Sequence, residues 1–436
     1  MWLKRVQVGL LHVAVTLTLL PINSTLNRVM INELAISATL VAALVSLPYF
    51  FSPLQVAIGS YADRHPLFGR RRTPYIALGL LLCIGGAVLS PQAAFVLAGN
   101  RLPGLALSLL AFGAWGMGFN FASVSYFSLA SELDEEGRSR TIATMFFMMI
   151  ISIIIMAIVI GRLVEPYTPQ ALQRAFFLAG GVAGVLGLLG LIGLEAPFAP
   201  VSSVAERHTW SEMARAIAGN PQARLFFVYL VLMLVAILGQ DVLLEPYAAQ
   251  AFGLPVRQTT RITSIWGVCF LLTLIVAGFI QRWMSQAAIA RLGAWTALVG
   301  FVLISLSGLP ALIAVFYIGV ILLGLGTGFA TVSNLALMLD MTTPESVGLY
   351  IGAWGMANAV SRLFGSVLSG AVRDLLTQAT GDAVIGYVAV FAILGGLLLA
   401  SLILLRRLDV RAFRERARQP AGLVEQAALA GEAHGG

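Results

Sequence analysis

The strongest constraint on this chain is a series of apolar runs between residues 10 and 405, separated by short polar gaps. Each run is close to the ~20 residues that a helix needs to cross the hydrocarbon core of a bilayer. Helices satisfy their own backbone hydrogen bonds, so they are the element such runs form in lipid. Composition agrees: of 436 residues, 59% are hydrophobic and 11% charged, against roughly 45–50% and about 25% in soluble domains. Cutting at the polar gaps predicts twelve spans, at 8–30, 35–58, 74–97, 104–130, 142–164, 174–196, 223–245, 261–280, 288–308, 311–339, 348–371 and 385–405. The expected fold class is an all-α membrane protein with twelve transmembrane helices. Residues 6–20 after Lys4 and Arg5 have the outline of a signal peptide, but no small-x-small cleavage site follows, so they are expected to stay as a first helix.

The net charge of +7 is spread along the loops and does not form a nucleic-acid-binding stripe. Lys4, Arg5, Arg64, Arg70, Arg71, Arg72, Arg138, Arg140, Arg207, Arg215, Arg224, Arg282, Arg291 and six arginines between 406 and 418 fall on one side of this topology. Arg28, Arg101, Arg162, Arg174, Arg257, Arg261 and Arg373 fall on the other. The positive-inside rule then places both termini in the cytoplasm.

The longest internal polar segment separates the sixth and seventh spans. In it, Thr209 and Glu212 have capping-box spacing, and Trp210, Met213, Ala214 and Ile217 share a helical face, which predicts a short interfacial helix. Asn220 and Pro221 supply a cap and a first-turn proline for the seventh span. The expected organisation is a six-helix bundle at 1–196, a cytoplasmic linker at 197–222, a second bundle at 223–405 and a cytoplasmic tail at 406–436, partly disordered. The halves repeat weakly at an offset of about 210 residues: Gly116-x-Gly118 with Gly326-x-Gly328, Glu135 with Glu345, and Gly161 with Gly370. Parallel repeats of this kind imply two pseudo-symmetric bundles with a cavity between them.

Several chemistries are excluded. Lys4 is the only lysine, so no P-loop can be written. Cys83 and Cys269 are isolated within apolar runs, with no zinc or iron–sulfur spacing, and no metal site is expected. The loop Glu132-Leu133-Asp134-Glu135-Glu136-Gly137-Arg138-Ser139-Arg140 mixes its charges and reads as a hydrated gating loop, not a catalytic pair. No nucleophile or nucleotide constellation exists, so the chain is not expected to be an enzyme.

After the second span stands Gly59-Ser60-Tyr61-Ala62-Asp63-Arg64, then His65-Pro66-Leu67-Phe68 and Gly69-Arg70-Arg71-Arg72. This resembles the G-x-x-x-D-R-x-G-R-R loop of the major facilitator superfamily, with three extra residues between its parts. The resemblance implies that Gly59 permits close helix approach, that Asp63 sits against a helix N-terminus, and that Arg64, Gly69, Arg70 and Arg71 complete an inner latch between the bundles. Its counterpart, Gly278-x-x-Gln281-Arg282, is degenerate.

A narrower likeness lies in Gln240-Asp241-Val242-Leu243-Leu244-Glu245-Pro246-Tyr247, in Thr259-Thr260-Arg261-Ile262-Thr263 and Trp266-Gly267, in Thr25-Leu26-Asn27-Arg28-Val29-Met30 with Glu33-Leu34, and in Arg71-Arg72-x-Pro74-Tyr75. Together these resemble the bacteriochlorophyll-delivery, or PucC-like, branch of that superfamily, up to about residue 407. The resemblance implies a membrane carrier or assembly factor that supplies (bacterio)chlorophyll to light-harvesting complexes. It further implies a home in the bacterial inner or photosynthetic membrane. The partners implied are the lipid bilayer, a transiently and non-covalently held tetrapyrrole pigment, and light-harvesting polypeptides.

Read physically, Asp241 and Glu245 are one helical turn apart and share a face at the outer end of the seventh span. Leaving either charge in hydrocarbon would cost about 2.5–3.5 kcal/mol, so each wants water, a proton or a cation. Arg28, on the repeat-related first span, is the expected partner of Asp241 or Glu245, closing the outer mouth. Arg362 is the one basic residue well within a span, about 21 Å up its helix, and must face the bundle interior, with Asn358 one turn below. Asn27 and Glu33 complete the expected polar path. His12, the only histidine within a span, is a candidate axial ligand for a pigment magnesium or an interhelical hydrogen-bond donor. The glycines of the sixth span, from Gly181 to Gly193, wind around their helix and are read as packing positions. Two other readings stay open: a proton-coupled exporter of small amphiphiles using Asp241 or Glu245, and an antenna-assembly scaffold that binds no pigment.

Overall fold

The computed structural model describes residues 2–133, 138–196, 215, 217–342 and 347–408. The Glu135 and Glu345 match, most of the expected interfacial helix (Thr209, Trp210, Glu212, Met213 and Ala214) and the tail from 409 lie outside those residues.

Helix α1 (Trp2–Pro21) passes through a π-helical turn (Ile22–Leu26) into α2 (Asn27–Asn32). Three shorter helices follow: α3 (Ala38–Val45), α4 (Leu47–Phe50) and α5 (Leu54–Arg64). Then come α6 (Thr73–Gly99), α7 (Arg101–Leu133), α8 (Arg138–Leu163) and α9 (Pro169–Leu191). Past the linker lie α10 (Pro221–Gly239), α11 (Leu244–Phe252), α12 (Val256–Ile280), α13 (Gln286–Ser307), α14 (Ile313–Met341), α15 (Val347–Thr380) and α16 (Ala383–Leu405). Among the described residues there is no strand, only a single antiparallel bridge between Leu67 and Arg70. Ten helical segments among them are long and apolar enough to cross a membrane. Two of the twelve expected spans are not included. The second is broken around Ser46-Leu47-Pro48 and Ser52-Pro53, where prolines remove backbone donors. The eleventh corresponds to α15, which is long but carries Asn358, Arg362, Arg373 and Asp374.

Helix starts follow local chemistry. Asn220 accepts from the N–H groups of Gln222 and Ala223 and is followed by Pro221, as the sequence predicts. Thr168, Ser285 and Asp382 cap α9, α13 and α16 in the same manner. Small residues bring neighbouring helices together. A Cβ at Gly118 of α7 would meet Cys83 N at 2.5 Å and Gly79 O at 2.6 Å on α6. A Cβ at Gly326 of α14 would meet Ala297 N and, at 2.6 Å, Gly293 O on α13. The other glycines of the repeated pairs pack elsewhere, Gly116 on Pro48 and Gly328 on Thr273. The two glycine pairs thus make equivalent contacts in reversed order, so the sequence match holds in kind and not in register.

Contacts between the first half of the chain (before residue 197) and the second (after residue 220) run along α8 with α12, α3 and α4 with α15, and α2 with α11. Large side chains such as Trp115, Tyr126, Tyr247 and Phe301 fill the interior. Leu81, Phe147, Phe279 and Phe364 are exposed on the outside, an arrangement suited to lipid and not to water.

Candidate functional site

Two helix interruptions build the site. In the first span, Pro21 has no N–H, the helix widens into a π turn, and Asn27 donates its N–H to the carbonyl of Ile22. In the repeat-related seventh span, α10 ends at Gly239, residues 240–243 form turns, and α11 begins at Leu244. Gly239 lies against the backbone of Gly365, where an added Cβ would come within 3.0 Å of its carbonyl oxygen. Non-helical backbone at such a position must be satisfied by protein groups, and here it is: Asn27 Nδ2 donates to Val242 O at 2.6 Å.

The break separates Asp241 from Glu245. They were expected to share one helical face, but the turn between α10 and α11 aims them at different neighbours. Asp241 Oδ2 accepts from Arg362 Nη1 at 2.6 Å, and Asp241 Oδ1 accepts from Gln240 Nε2 at 2.6 Å. The Arg362 guanidinium also lies 5.2 Å from the centre of the Tyr49 ring. Asp241, Arg362 and Tyr49, with Asn23, Val45, Ser46, Val242 and Ser366, line a cavity with about 10 Å³ of room, near the smallest that admits one water. Arg362 thus faces the interior, as its charge required, and its partner is a carboxylate. Asn358 takes no part: it donates to the Trp354 carbonyl of its own helix at 2.9 Å.

Glu245 is 4% exposed. Its Oε1 accepts from Ser24 Oγ of the first half and Thr263 Oγ1 of the second, each at 2.5 Å. Its Oε2 has no hydrogen-bond partner among the described residues.

Arg28 does not pair with Asp241 or Glu245. Its Nη1 donates to Glu33 at 2.5 Å, because a carboxylate five residues along the same segment is closer than one on another span. Its Nη2 donates to Leu254 O at 3.1 Å, so Arg28 still ties the first span to the loop beyond the seventh, through a carbonyl.

Further bonds join the halves at the end of the molecule away from Trp2 and Leu405. Asn32 Nδ2 donates to Pro246 O at 3.3 Å. Asp374 of α15 accepts the N–H groups of Ala38 at 3.1 Å and Thr39 at 2.8 Å and the Thr39 hydroxyl at 2.7 Å, capping α3 from the other half of the chain. Arg373 donates to Asp374 at 2.9 Å and to Gln250 at 3.0 Å. Sequence reasoning counted Arg373 only as an outer charge and missed Asp374. The adjacent opposite charges near the end of an apolar span were the available signal.

At the opposite end the arginine loop is tied into its own half of the chain. Arg72 pairs with Asp63 at 2.6 Å and with Glu132 at 2.7 Å. Glu195 accepts from the N–H groups of Arg71 at 2.8 Å and Thr73 at 2.7 Å, capping α6. The contacts of Arg72 and Glu195 fasten segments of the first half to one another. Sequence reasoning missed Arg72, Glu132 and Glu195 as the residues that hold this loop to the rest of the first half. Arg64 is exposed, Gly59 is buried, Arg70 is half-buried, and Gly69 takes a φ of 71° in the tight turn beside Arg70.

Of the two roles open to His12, the structure shows the interhelical hydrogen bond. Nδ1 lies 2.7 Å from Tyr126 Oη and Nε2 3.0 Å from Met149 Sδ, and the rings of Tyr126, Phe127 and Phe146 surround it. With both nitrogens engaged it serves as an interhelical hydrogen-bonding residue. A separate, apolar groove of about 860 Å³ lies between α6 and α9, floored by Gly85, Gly180 and Gly181 and edged by Ile84, Val88, Gln92 and Phe177.

The described residues form an apolar, nearly all-helical chain whose first and seventh spans are interrupted beside a half-buried ion pair. In the fold comparison, the solved nucleoside transporter NupG superposes with a TM-score of 0.72 at 15% identity, covering 93% of this chain and 98% of that one. This is an integral membrane protein of the major facilitator fold. The sequence comparisons narrow the class, because the family described as PUCC protein matches residues 25–413. Protein PucC of Rhodobacter capsulatus is 32% identical, over 89% of this chain and 88% of that protein. The bacteriochlorophyll synthase 44.5 kDa chain of Rhodobacter capsulatus is 29% identical, over 88% of this chain and 90% of that protein. The chain belongs to the PUCC family.

Proposed function

We propose that this chain is a membrane carrier or assembly factor that delivers a (bacterio)chlorophyll-type pigment to light-harvesting complexes. The observation that carries the reading is the family match along nearly the whole chain, residues 25–413. The name of one relative, a bacteriochlorophyll synthase chain, points to the same pigment class. No catalytic constellation accompanies that name in this sequence, and a carrier fold supports handling of the pigment without chemistry on it.

In this reading the chain is two six-helix bundles, 1–196 and 223–405, joined by the segment 197–222. It sits in the bacterial inner or photosynthetic membrane with both termini cytoplasmic. Asn27, Arg28, Glu33, Asp241, Glu245 and Arg362 form the polar path. The pigment is held transiently and without covalent attachment, and light-harvesting polypeptides receive it. The apolar groove beside Gly85 and Gly181 supports the reading, since a flat ring needs close approach to backbone and an apolar wall.

The test is gentle purification from a phototrophic host followed by an absorption spectrum, with a deletion strain assayed for antenna complexes. Bound chlorin absorbance and loss of antenna in the deletion strain are expected. Normal antenna in the deletion strain would overturn the proposal. Co-purification of antenna polypeptides without chlorin would replace it with a scaffold.

A further inference from the structure

We propose that Glu245 is a proton-binding site whose carboxyl is neutral while the contacts that join the halves at the end away from Trp2 and Leu405, the distal end, are closed, and ionises only when they part and admit water. The proposal deepens the functional reading by naming what the carrier exchanges at its distal mouth, and its geometry does not depend on which cargo is carried.

The two carboxylates that bracket the α10–α11 break differ in one decisive respect. Asp241 is compensated by the Arg362 guanidinium at 2.6 Å. Glu245 is 4% exposed and takes two hydroxyl donors on Oε1, while Oε2 has no partner among the described residues. A buried carboxylate normally gathers donors on both oxygens, because its charge is spread over both and each unpaired lone pair forfeits hydration. With donors on one oxygen only and no guanidinium bonded to it, the neutral acid is the form this site favours, Oε1 being the carbonyl oxygen and Oε2 carrying the proton: an O–H without an acceptor among the described residues costs less than an unpaired buried charge.

Of the surrounding charges Arg28 alone acts in favour of an anion, and none of them hydrogen-bonds Glu245 among the described residues. On α2, Arg28 is committed to Glu33 and to the Leu254 carbonyl. On α12, Arg257 is exposed and pairs with Glu165 at 3.4 Å, and Arg261 is exposed. On α16, Tyr387 faces Arg373, which is held by Asp374 and Gln250. On its own segment, Asp241 is held by Arg362 and Tyr247 donates to Ile304 O.

The hydroxyl donors make the site a coupling device. Ser24 belongs to the first half of the chain and Thr263 to the second. Parting the halves at the distal end removes at least one donor and admits water. The Oε2–H bond then breaks, its proton passes to water at the distal face, and the carboxylate is hydrated. On closure water returns the proton and both hydroxyl bonds reform. Low pH on the distal side therefore favours the closed arrangement, and high pH favours opening.

The test is infrared spectroscopy of the full-length protein in nanodiscs at neutral pH. A protonated carboxylic acid has a carbonyl stretch well separated from the carboxylate bands. The expected result is such a band in the natural protein, lost in Glu245→Gln and retained in Asp241→Asn. Ser24→Ala, which leaves the carboxyl in place, should shift the band to higher frequency by removing one donor from Oε1. Absence of the band, or its persistence unchanged in both Glu245→Gln and Ser24→Ala, would overturn the proposal, as would a requirement for sodium to hold the distal end closed. If Glu245→Gln does not fold, the Ser24→Ala shift alone decides. Because the band is read without pigment, its failure is distinct from an absence of chlorin absorbance, which bears only on the functional reading.

Discussion

Asp374 is the sharpest place to test whether the distal contacts hold the two halves together. Replacing it with alanine removes the acceptor for the N–H groups of Ala38 and Thr39 and for the Thr39 hydroxyl, and takes from Arg373 its charged partner. Hydrogen bonds to a charged group contribute about 1.5–3 kcal/mol each, so three of them set a gross loss of roughly 5–9 kcal/mol. Much of that is recovered. In the opened arrangement water reaches the freed N–H groups, Ser37 still caps Leu40, and Arg373 keeps Gln250. The net loss is then close to that of breaking one buried pair, about 3 kcal/mol at the low end of that range. Since each 1.4 kcal/mol is about tenfold, the closed-to-open ratio falls by about two powers of ten. Hydrogen–deuterium exchange of the full-length protein in nanodiscs reads this at the amides of residues 38 and 39, which should exchange about 100-fold faster in Asp374→Ala. Asp374→Asn keeps one acceptor oxygen and should give about tenfold. Unchanged exchange at those amides in the alanine variant would refute the idea that Asp374 holds α3 across the chain halves.

Two further outcomes follow from the same geometry. Asp241→Asn and Arg362→Gln should each lower stability to detergent-induced unfolding by about 2 kcal/mol, less than a fully buried pair loses because both side chains are nearly one-third exposed; the double variant should recover more than half, and strict additivity would disprove the pairing. Gly118→Ala should destabilise by about 1–3 kcal/mol, since its Cβ meets the backbone of α6, whereas Gly113→Ala, with no described neighbour within 4 Å, should be neutral or stabilising; equal thermal shifts for the two would contradict the close α6–α7 packing.

What was legible beforehand follows from the range of each interaction. Asn220 as a cap and Pro221 as a first-turn residue depend on neighbours two or three positions away, so the sequence predicts them and the structure has them. Arg362 had to face inward because a guanidinium in hydrocarbon is expensive whatever its partner. The identity of that partner, 121 positions away, was not predictable. The pairing expected for Arg28 failed because it assumed a continuous helix through residue 245 and overlooked Glu33 within reach. For His12 the sequence left a magnesium ligand and an interhelical hydrogen bond both open, because its partners Tyr126 and Met149 come from two other helices. Asp374 and Glu195 were missed because capping was sought only in residues next to a helix start, and both cap helices distant in sequence.

By itself the sequence determined the environment and the element type. Apolar runs of membrane-spanning length leave a helix as the way to satisfy the backbone, and the motifs near Asp63 and Asp241 carried the family resemblance. Only the tertiary structure decided which charges meet. Helix breaks at Pro21 and Gly239 rotate the side chains that follow them, and whether a carboxylate within the protein finds a guanidinium, as Asp241 does, or two hydroxyls, as Glu245 does, depends on helices brought together by packing. Local backbone energetics reach only a few residues along the chain, whereas the fate of a buried charge is set by everything within a few ångströms in space.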